Sequence, residues 1–545
     1  MPDPPLESGS DAKAKIEPKI EAKAKAGADT GIGALDSLKR AIASLSPLKA
    51  ALLIGLLSFC LNFLLGSCYG RVAPKVHDEF SYLLAAETFS LGQLSAPTHP
   101  MWVHFESFHT GQTPTRFSKY PPGHALVLAI GAKLGDVHLG LWLEGALAGV
   151  AFYYFLRACF SPGWAFLGAL VGIFNPLLLM WNHMFWGGAL HAAGGAVVLG
   201  AAVRAGKAAL PRHGAVFGLG VSVLMLTRPF EGAIFTIFAS AILAGALLRR
   251  GGFSGLAAAM VKLAPGFLLV WGAAVGWMGY YNYRVTGSAF VMPYMVYEKL
   301  YAPCPFFLWQ DLGPMPEYRH APFVAFAEGE RAAFLVQKTL PGLAAKLRGL
   351  FFENIGYSAL LLTPFVLALF FKPRRRTVIA VSFLALFLAT EFLSVAWFFP
   401  HYVAAILALY LYIVIVAFQE LAMRIPRLRL LWLAALAFAM GGFVLHQATS
   451  LKRQNRPRNW AVARQNMIRE LEQKPGKHLV LVSYGKDASP HKEWVYNSAD
   501  IDNTRVVFAR SMVDNARLLD YFKDRTIWRL NVISTKERIL SPFQP

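Results

Sequence analysis

Apolar runs long enough to cross a bilayer recur along most of this chain, and they constrain its fold more than any other feature. The first is ALLIGLLSFCLNFLLG. A helix needs about 20 apolar residues to span the hydrocarbon core, and water offers such a segment no favourable surroundings. Composition agrees: of 545 residues, 55% are hydrophobic and 16% charged, whereas a soluble domain carries roughly 25% charged residues. A plain soluble enzyme is excluded, and the pattern is that of a polytopic membrane protein. The formal charge of +21, from 53 Lys and Arg against 32 Asp and Glu, would suggest nucleic acid in a soluble chain. Here the basic residues stand beside apolar blocks, which is the positive-inside signature and an affinity for anionic headgroups. No nucleic-acid partner is implied.

The four cysteines, Cys60, Cys68, Cys159 and Cys304, have no metal-binding spacing and are too scattered for a disulfide framework. About 45 polar residues precede the first apolar block, without a signal-peptide pattern, and residues 1–47 are expected to be a disordered cytoplasmic tail. Basic clusters at Lys39–Lys49, Arg157, Arg204–Arg212, Arg249–Arg250, Lys372–Arg376 and Arg424–Arg429 mark inner ends. The apolar stretches between them pair as 162–181 with 185–204, 213–227 with 229–248, and 377–397 with 400–421. Two more, 257–278 and 354–371, flank a long outer loop. The stretch 121–157 is too long for one straight span, so 121–134 reads as a re-entrant or interfacial half-helix before the break at Gly135-Asp136. The expected fold is all-α, with about 11 transmembrane helices over residues 48–450 and a small α/β domain at 451–545. Lys452, Arg453, Arg456 and Arg458 oppose an outer position for that domain, but long domains translocate largely regardless of charge. On parity it lies outside, with loops 70–121 and 279–353; Cys68 and Cys304 then share a side, and a bridge between them is possible but not favoured.

In the first loop, DEFSYLLAAETFSLG reads as an amphipathic surface helix with Asp78 at its start and Gly92 past its end. The second loop is punctuated by Pro and Gly over 287–322, then helical over 325–351. The terminal domain should contain helices at 457–473 and 513–523 and strands at 478–483, 504–509 and 526–533.

Two clusters carry chemistry. In HDEFSY, the adjacent carboxylates of Asp78 and Glu79 at a water–lipid boundary suit a general base; equally, Asp78 could merely cap the helix. In RFSKYPPGH, Arg116 and Lys119 stand beside a Pro-Pro that can start a helix, where a cation can hold a lipid phosphate or simply snorkel.

The order of a short first span, then D-E-x-x-Y-x-x-A-x-x-x-x-x-G, then K-Y-P-P-G, resembles GT-C glycosyltransferases of the protein mannosyltransferase and aminoarabinose transferase kind. NPLLLMW, LTRPFEG, YNYRVTGSAFVMPY and FFPHYVAAILALYLY extend the likeness over about residues 48–420. The resemblance implies that Asp78 is the base, that Lys119, with Tyr120 beside it, meets the carrier phosphate, and that His401 faces that phosphate. One departure stands out. Many members place a second acid after the third crossing, where this chain has WNHMFWGGALH, offering Asn182, His183 and His191, unless Glu79 takes that role.

Arg228 and Glu231 lie at the outer turn of a hairpin whose first arm, 213–227, spans only about 22 Å. They must sit below the surface, either as a site wall near the phosphate or as a structural pair. Glu391 and His401 invite the same argument more weakly. His77, His99, His104 and His109 crowd the first loop with Glu106; His104, Glu106 and His109 could converge on a metal, but their spacing matches no zinc motif, and hydroxyl binding or packing explains them equally. No metal or other cofactor is expected.

Together these residues predict an inverting glycosyltransferase. It would move a sugar from a polyprenyl-phosphate carrier to an unidentified glycan, lipid or protein acceptor at the periplasmic face of a bacterial inner membrane. A lipid or solute transporter and a membrane-anchored scaffold are the alternatives.

Overall fold

Prolines and capping side chains start the helices where the apolar runs begin. Ser46 accepts from the Lys49 amide at 3.3 Å and Pro47 takes the first helical position, opening α1 (Pro47–Tyr69). The structure, a computed structural model, describes residues 37, 40–354, 375–394 and 399–543. Most of the expected tail and the expected crossing at 354–371 lie outside the described residues. Among those described, six helical segments are long and apolar enough to cross a membrane: Pro47–Tyr69, His138–Cys159, Gly188–Lys207, Pro229–Thr286, Ala404–Arg424 and Pro426–Gln454. The chain is a multi-pass helical membrane protein.

After α1 comes α2 (His77–Ser90), and here the structure corrects the sequence in two ways. Its N-cap is Val76, not Asp78, and Glu79 completes the cap. Moreover, α2 is no amphipathic surface helix: Glu79, Phe80, Ser81, Tyr82, Leu84, Ala85, Ala86 and Thr88 are all buried, because one side packs in a core with Leu65, Ala125, Leu128 and Trp142 while Phe80 stacks on Tyr496 of the terminal domain. Gly92 ends the turn beyond it at φ 77°, a left-handed angle that glycine adopts without penalty. Three short strands follow, β1 (Ala96–Pro97), β2 (Thr110–Gly111) and β3 (Thr115–Ser118), in the order β1-β3-β2.

The expected half-helix is α3 (Gly123–Lys133), which turns at Gly135 into α4 (His138–Cys159). The 162–181 stretch is broken into α5 (Pro162–Ile173) and α6 (Pro176–Trp181), since Asn175 caps the second helix by accepting from the Leu177 amide at 2.9 Å. Then come α7 (Gly188–Lys207), α8 (Pro211–Thr227) and α9 (Pro229–Thr286). The two crossings expected at 229–248 and 257–278 are the two arms of α9, whose 58 residues are divided by the non-helical backbone of Gly252 (φ 63°, ψ −160°). Its second arm continues to Thr286, so the outer loop begins at Gly287 rather than 279. Tyr280 and Arg284, bonded at 2.9 Å across one helical turn, belong to that extension. Arm and neighbour meet through Gly214 and Gly266; a Cβ on either would lie 2.0 Å from a backbone oxygen of the other helix, the close approach that small residues permit between membrane helices.

The second outer loop holds α10 (Pro293–Tyr301), α11 (Ala321–Gln337) and α12 (Leu340–Asn354); α13 (Arg375–Phe392), α14 (Leu407–Arg424) and α15 (Arg429–Gln454) complete the membrane part. Its core joins α4, α5, α7 and α14 through Phe152, Leu156, Phe166, Leu199 and Leu411. The terminal domain has α16 (Trp460–Glu472), β4 (Lys477–Asp487), β5 (Val506–Arg510), α17 (Ala516–Tyr521) and β6 (Arg525–Ser534). A strand the sequence did not signal, β7 (Arg538–Pro542), is antiparallel on β6, while β5, β4 and β6 are parallel. Leu479, Val480, Leu481 and Val482 are all buried, the continuous apolar run expected of a strand covered on both faces. This domain sits on the first outer loop. Arg116 donates to the carbonyls of Asn497 (2.7 Å), Ser498 and Ala499 (3.2 Å), and Arg510 donates to that of Glu106 (2.9 Å). Loop and domain are therefore packed against each other. Cys68 and Cys304 are both free.

Candidate active site

A cavity of about 860 Å³ lies where the first loop, the start of α9, α10, α11 and the segment before α14 meet. Asp78 is on its wall. Val76 holds the N-cap position with no side-chain bond, and Glu79 accepts its amide; Asp78, one residue inside the helix, turns instead to His109, its Oδ1 lying 2.7 Å from Nδ1. His109 is held at φ 58°, a conformation that non-glycine residues keep only when their surroundings enforce it. Its carbonyl accepts from Ser81 Oγ (2.5 Å) and the Lys119 amide (3.1 Å), and its amide donates to Tyr297 Oη (3.0 Å). Tyr120 Oη is 3.0 Å from the same Nδ1, and its ring stacks on Tyr82.

Burial works against the Asp78 carboxylate, but His109, by charge and hydrogen bond, and then Lys119 outweigh it and hold the group well below the usual carboxylate range. Burial and then Lys119 depress the His109 ring below the ordinary histidine value. The contact thus favours the ionised form of the Asp78 carboxyl, with His109 Nδ1 against its Oδ1.

Lys119 projects into the same cavity. Its Nζ is 3.2 Å from Glu298 Oε1 and 4.8, 5.2 and 5.6 Å from the ring centres of Tyr297, Tyr294 and Tyr120. Arg228 precedes Pro229, which forces an extended backbone (φ −145°, ψ 88°) and ends α8. Its guanidinium lies 3.4 Å from Glu231 Oε1 and 4.5 Å from the Tyr402 ring centre. The ion pair is formed, and both its members line the cavity, so the structural and functional readings of these residues are not exclusive. Glu391 is also on the wall, with its buried Oε1 unpartnered.

Other candidates lie elsewhere. Glu79 is 1% exposed and accepts from the amides of Lys75 (2.7 Å), Val76 (3.4 Å) and Phe185 (3.1 Å). Arg116 faces the terminal domain, as described. His104 Nδ1 is 2.9 Å from the Arg510 carbonyl, while Glu106 meets Tyr301 Oη (2.5 Å), Arg319 (3.2 Å) and His320 (3.2 Å). His104, Glu106 and His109 thus turn to separate partners, and among the described residues no group of three or more His, Cys, Asp or Glu is placed to hold a metal ion. Asn182 and His183 are buried behind α3 and α4 with unpartnered polar atoms; His191 pairs with Thr227 at 2.9 Å. His401 is buried among Trp186, Phe399 and Tyr402, behind the wall rather than on it.

Sequence reading missed Tyr294, Tyr297, Glu298, Tyr402 and His491, all lining residues. The first three share one face of PYMVYEKLY at i, i+3 and i+4, a signal that was present. His491 belongs to the terminal domain, and nothing local marks it.

The backbone bonds of Glu79 support an expectation of their own. Glu79→Gln exchanges one carboxylate oxygen for an amide nitrogen that cannot accept the Lys75, Val76 or Phe185 N–H. Stability should fall by about 1–3 kcal/mol, read as a lower thermal unfolding midpoint, with carrier affinity unchanged.

No family model matches the chain. No curated protein matches it either. Among solved structures, it is similar to ArnT from Cupriavidus metallidurans bound to undecaprenyl phosphate, at 12% identity and TM-score 0.49, over 88% of this chain and 92% of that one. It is also similar to the Archaeoglobus fulgidus oligosaccharyltransferase in complex with zinc and sulfate, at 15% identity and TM-score 0.43, over 79% and 60%.

Proposed function

We propose that the chain is an inverting glycosyltransferase using a polyprenyl-phosphate-linked sugar, with its cavity at the periplasmic face of a bacterial inner membrane. The observation that carries the reading is one cavity lined by the carboxyl group of Asp78 and by two basic side chains, Lys119 and Arg228. Asp78 takes the proton of an acceptor hydroxyl, the hydroxyl oxygen attacks the anomeric carbon, and the carbon–oxygen bond to the carrier phosphate breaks. The electron pair leaves on the phosphate, where Lys119 and Arg228 offset the developing charge. A single displacement inverts the anomeric centre. His109 keeps Asp78 aimed and ionised.

Purified protein incubated with a panel of labelled polyprenyl-phosphate sugars tests this: release of free carrier phosphate with a sugar-bearing product supports transfer. Carrier binding without any such product points to a transporter, and no carrier binding at all to a scaffold. Orientation is checked separately. A reporter active only outside the cytoplasm should work when fused after Gly92, Gly313 or Pro545 and fail after Gly206 or Arg375; activity after Gly206 would reverse the membrane part.

A further inference from the structure

The terminal domain contributes a side chain of its own to the cavity. Segment 488–497 leaves β4 without regular structure and is anchored from within. Glu493 accepts from the Val495 amide (2.8 Å) and Arg510 (2.6 Å), while Arg464 donates to the carbonyls of Trp494 (3.3 Å) and Tyr496 (2.6 Å). Tyr496 stacks on Phe80 with ring centres 4.0 Å apart, and its hydroxyl is 2.7 Å from His77 Nδ1. So braced, the segment places His491 on the cavity wall. There the His491 ring is 6.0 Å from His77 and 5.5 Å from Phe326 of α11, and those two are 5.6 Å from each other.

Three rings therefore frame one side of the cavity, immediately beside Asp78. His77 is 4% exposed and its Nε2 has no hydrogen-bond partner, although the residue borders the cavity. A buried polar atom left unpaired is costly, and a ligand hydroxyl would satisfy it. Glu298 and Glu330 line the same cavity. Ring faces combined with imidazole and carboxylate groups fit a molecule that has apolar C–H faces and many hydroxyls. A saccharide has both; an acyl chain would leave the polar groups unpaired.

We propose that His491, His77 and Phe326 form an acceptor subsite for a saccharide, so that the transferred sugar is added to a glycan hydroxyl and the terminal domain selects which glycan enters. The assignment rests on the transferase reading above. The acceptor hydroxyl gives its proton to Asp78, its oxygen bonds to the anomeric carbon, and the carrier phosphate departs with the electron pair of the broken bond.

The test uses full-length protein in lipid nanodiscs, titrated separately with undecaprenyl phosphate and with methyl β-glucoside, methyl β-galactoside, methyl β-N-acetylglucosaminide and the corresponding β-linked disaccharides. Saturable saccharide binding is expected, weakened about tenfold in H491A and in F326A. H491F keeps a ring and should retain most of it, and undecaprenyl phosphate affinity should be the same in all variants. His491 is exposed on a loop, so its loss leaves the core intact. Carrier binding without saccharide binding in the wild type, or saccharide binding that both Ala variants leave unaltered, overturns the subsite while the transferase reading stands. A serine- and threonine-containing peptide that binds where the saccharides do not overturns the acceptor class. Failure to bind undecaprenyl phosphate sinks the transferase reading and this assignment with it.

Discussion

Asp78→Asn should lower turnover by roughly 10²–10⁴-fold, the usual contribution of a general base, with the protein still folded at the assay temperature and carrier binding preserved. An amide of the same size can accept from His109 Nδ1 but cannot take the acceptor's proton. From sequence alone, a loss of helix capping was the competing explanation for any effect at this position. The structure separates the two, because Val76 is the N-cap residue, Glu79 accepts its amide, and Asp78 turns to His109. The pH dependence follows from the same contact. With its carboxyl held well below the usual range, Asp78 stays ionised across pH 5–8, so the rate should show no acid limb from this group there. A carboxyl depressed on folding adds stability that is present above its unfolded value of about 3.9 and disappears as pH falls through the folded one. Asp78→Asn should therefore unfold at a lower temperature than wild type near pH 7, and the gap should close in strong acid. Near wild-type turnover in Asp78→Asn would remove this residue from the chemistry.

Lys119→Ala should weaken undecaprenyl phosphate binding by about 10–100-fold, matching the roughly 1.5–3 kcal/mol of a hydrogen bond to a charged group. Lys119→Arg should lose less, since it keeps the charge but cannot place it identically, and Arg228→Ala should act in the same direction as Lys119→Ala. Glu298 gives this prediction its sharper half. Its carboxylate already pairs with Lys119 at 3.2 Å, so an arriving phosphate must displace or repel it. Glu298→Gln removes that competing charge and should tighten carrier binding. Titration of the four variants and wild type with undecaprenyl phosphate decides the matter. Equal affinity in wild type, Lys119→Ala and Arg228→Ala would take both cations out of the phosphate site, and weaker binding in Glu298→Gln would make Glu298 a supporting ligand rather than a competitor.

Local signals determined much of this molecule before any fold was known. Apolar runs of span length, prolines at helix starts and basic clusters marked most of the helices, because each follows from what a short segment can do in lipid or at its boundary. The break at Gly135-Asp136 and the half-helix before it were legible for the same reason, and three strands of the terminal domain from their short apolar runs, though not their parallel pairing. Asp78, Lys119, Arg228 and Glu231 could be named because charges beside apolar runs are conspicuous. Only the tertiary structure decided which of them meet. Glu79 and Asp78 are chemically alike neighbours, yet successive helix positions point about 100° apart, and one is consumed by backbone amides while the other reaches His109. Arg116 lies three residues from Lys119 but, on a strand under the terminal domain, it faces the opposite way. The long second arm of α9 and the burial of α2 came from partners remote in sequence, which no local window contains. His491 is the extreme case: a loop histidine with no motif becomes part of the cavity because a domain some 400 residues along the chain folds back over Asp78, held there by contacts that exist only once both have folded.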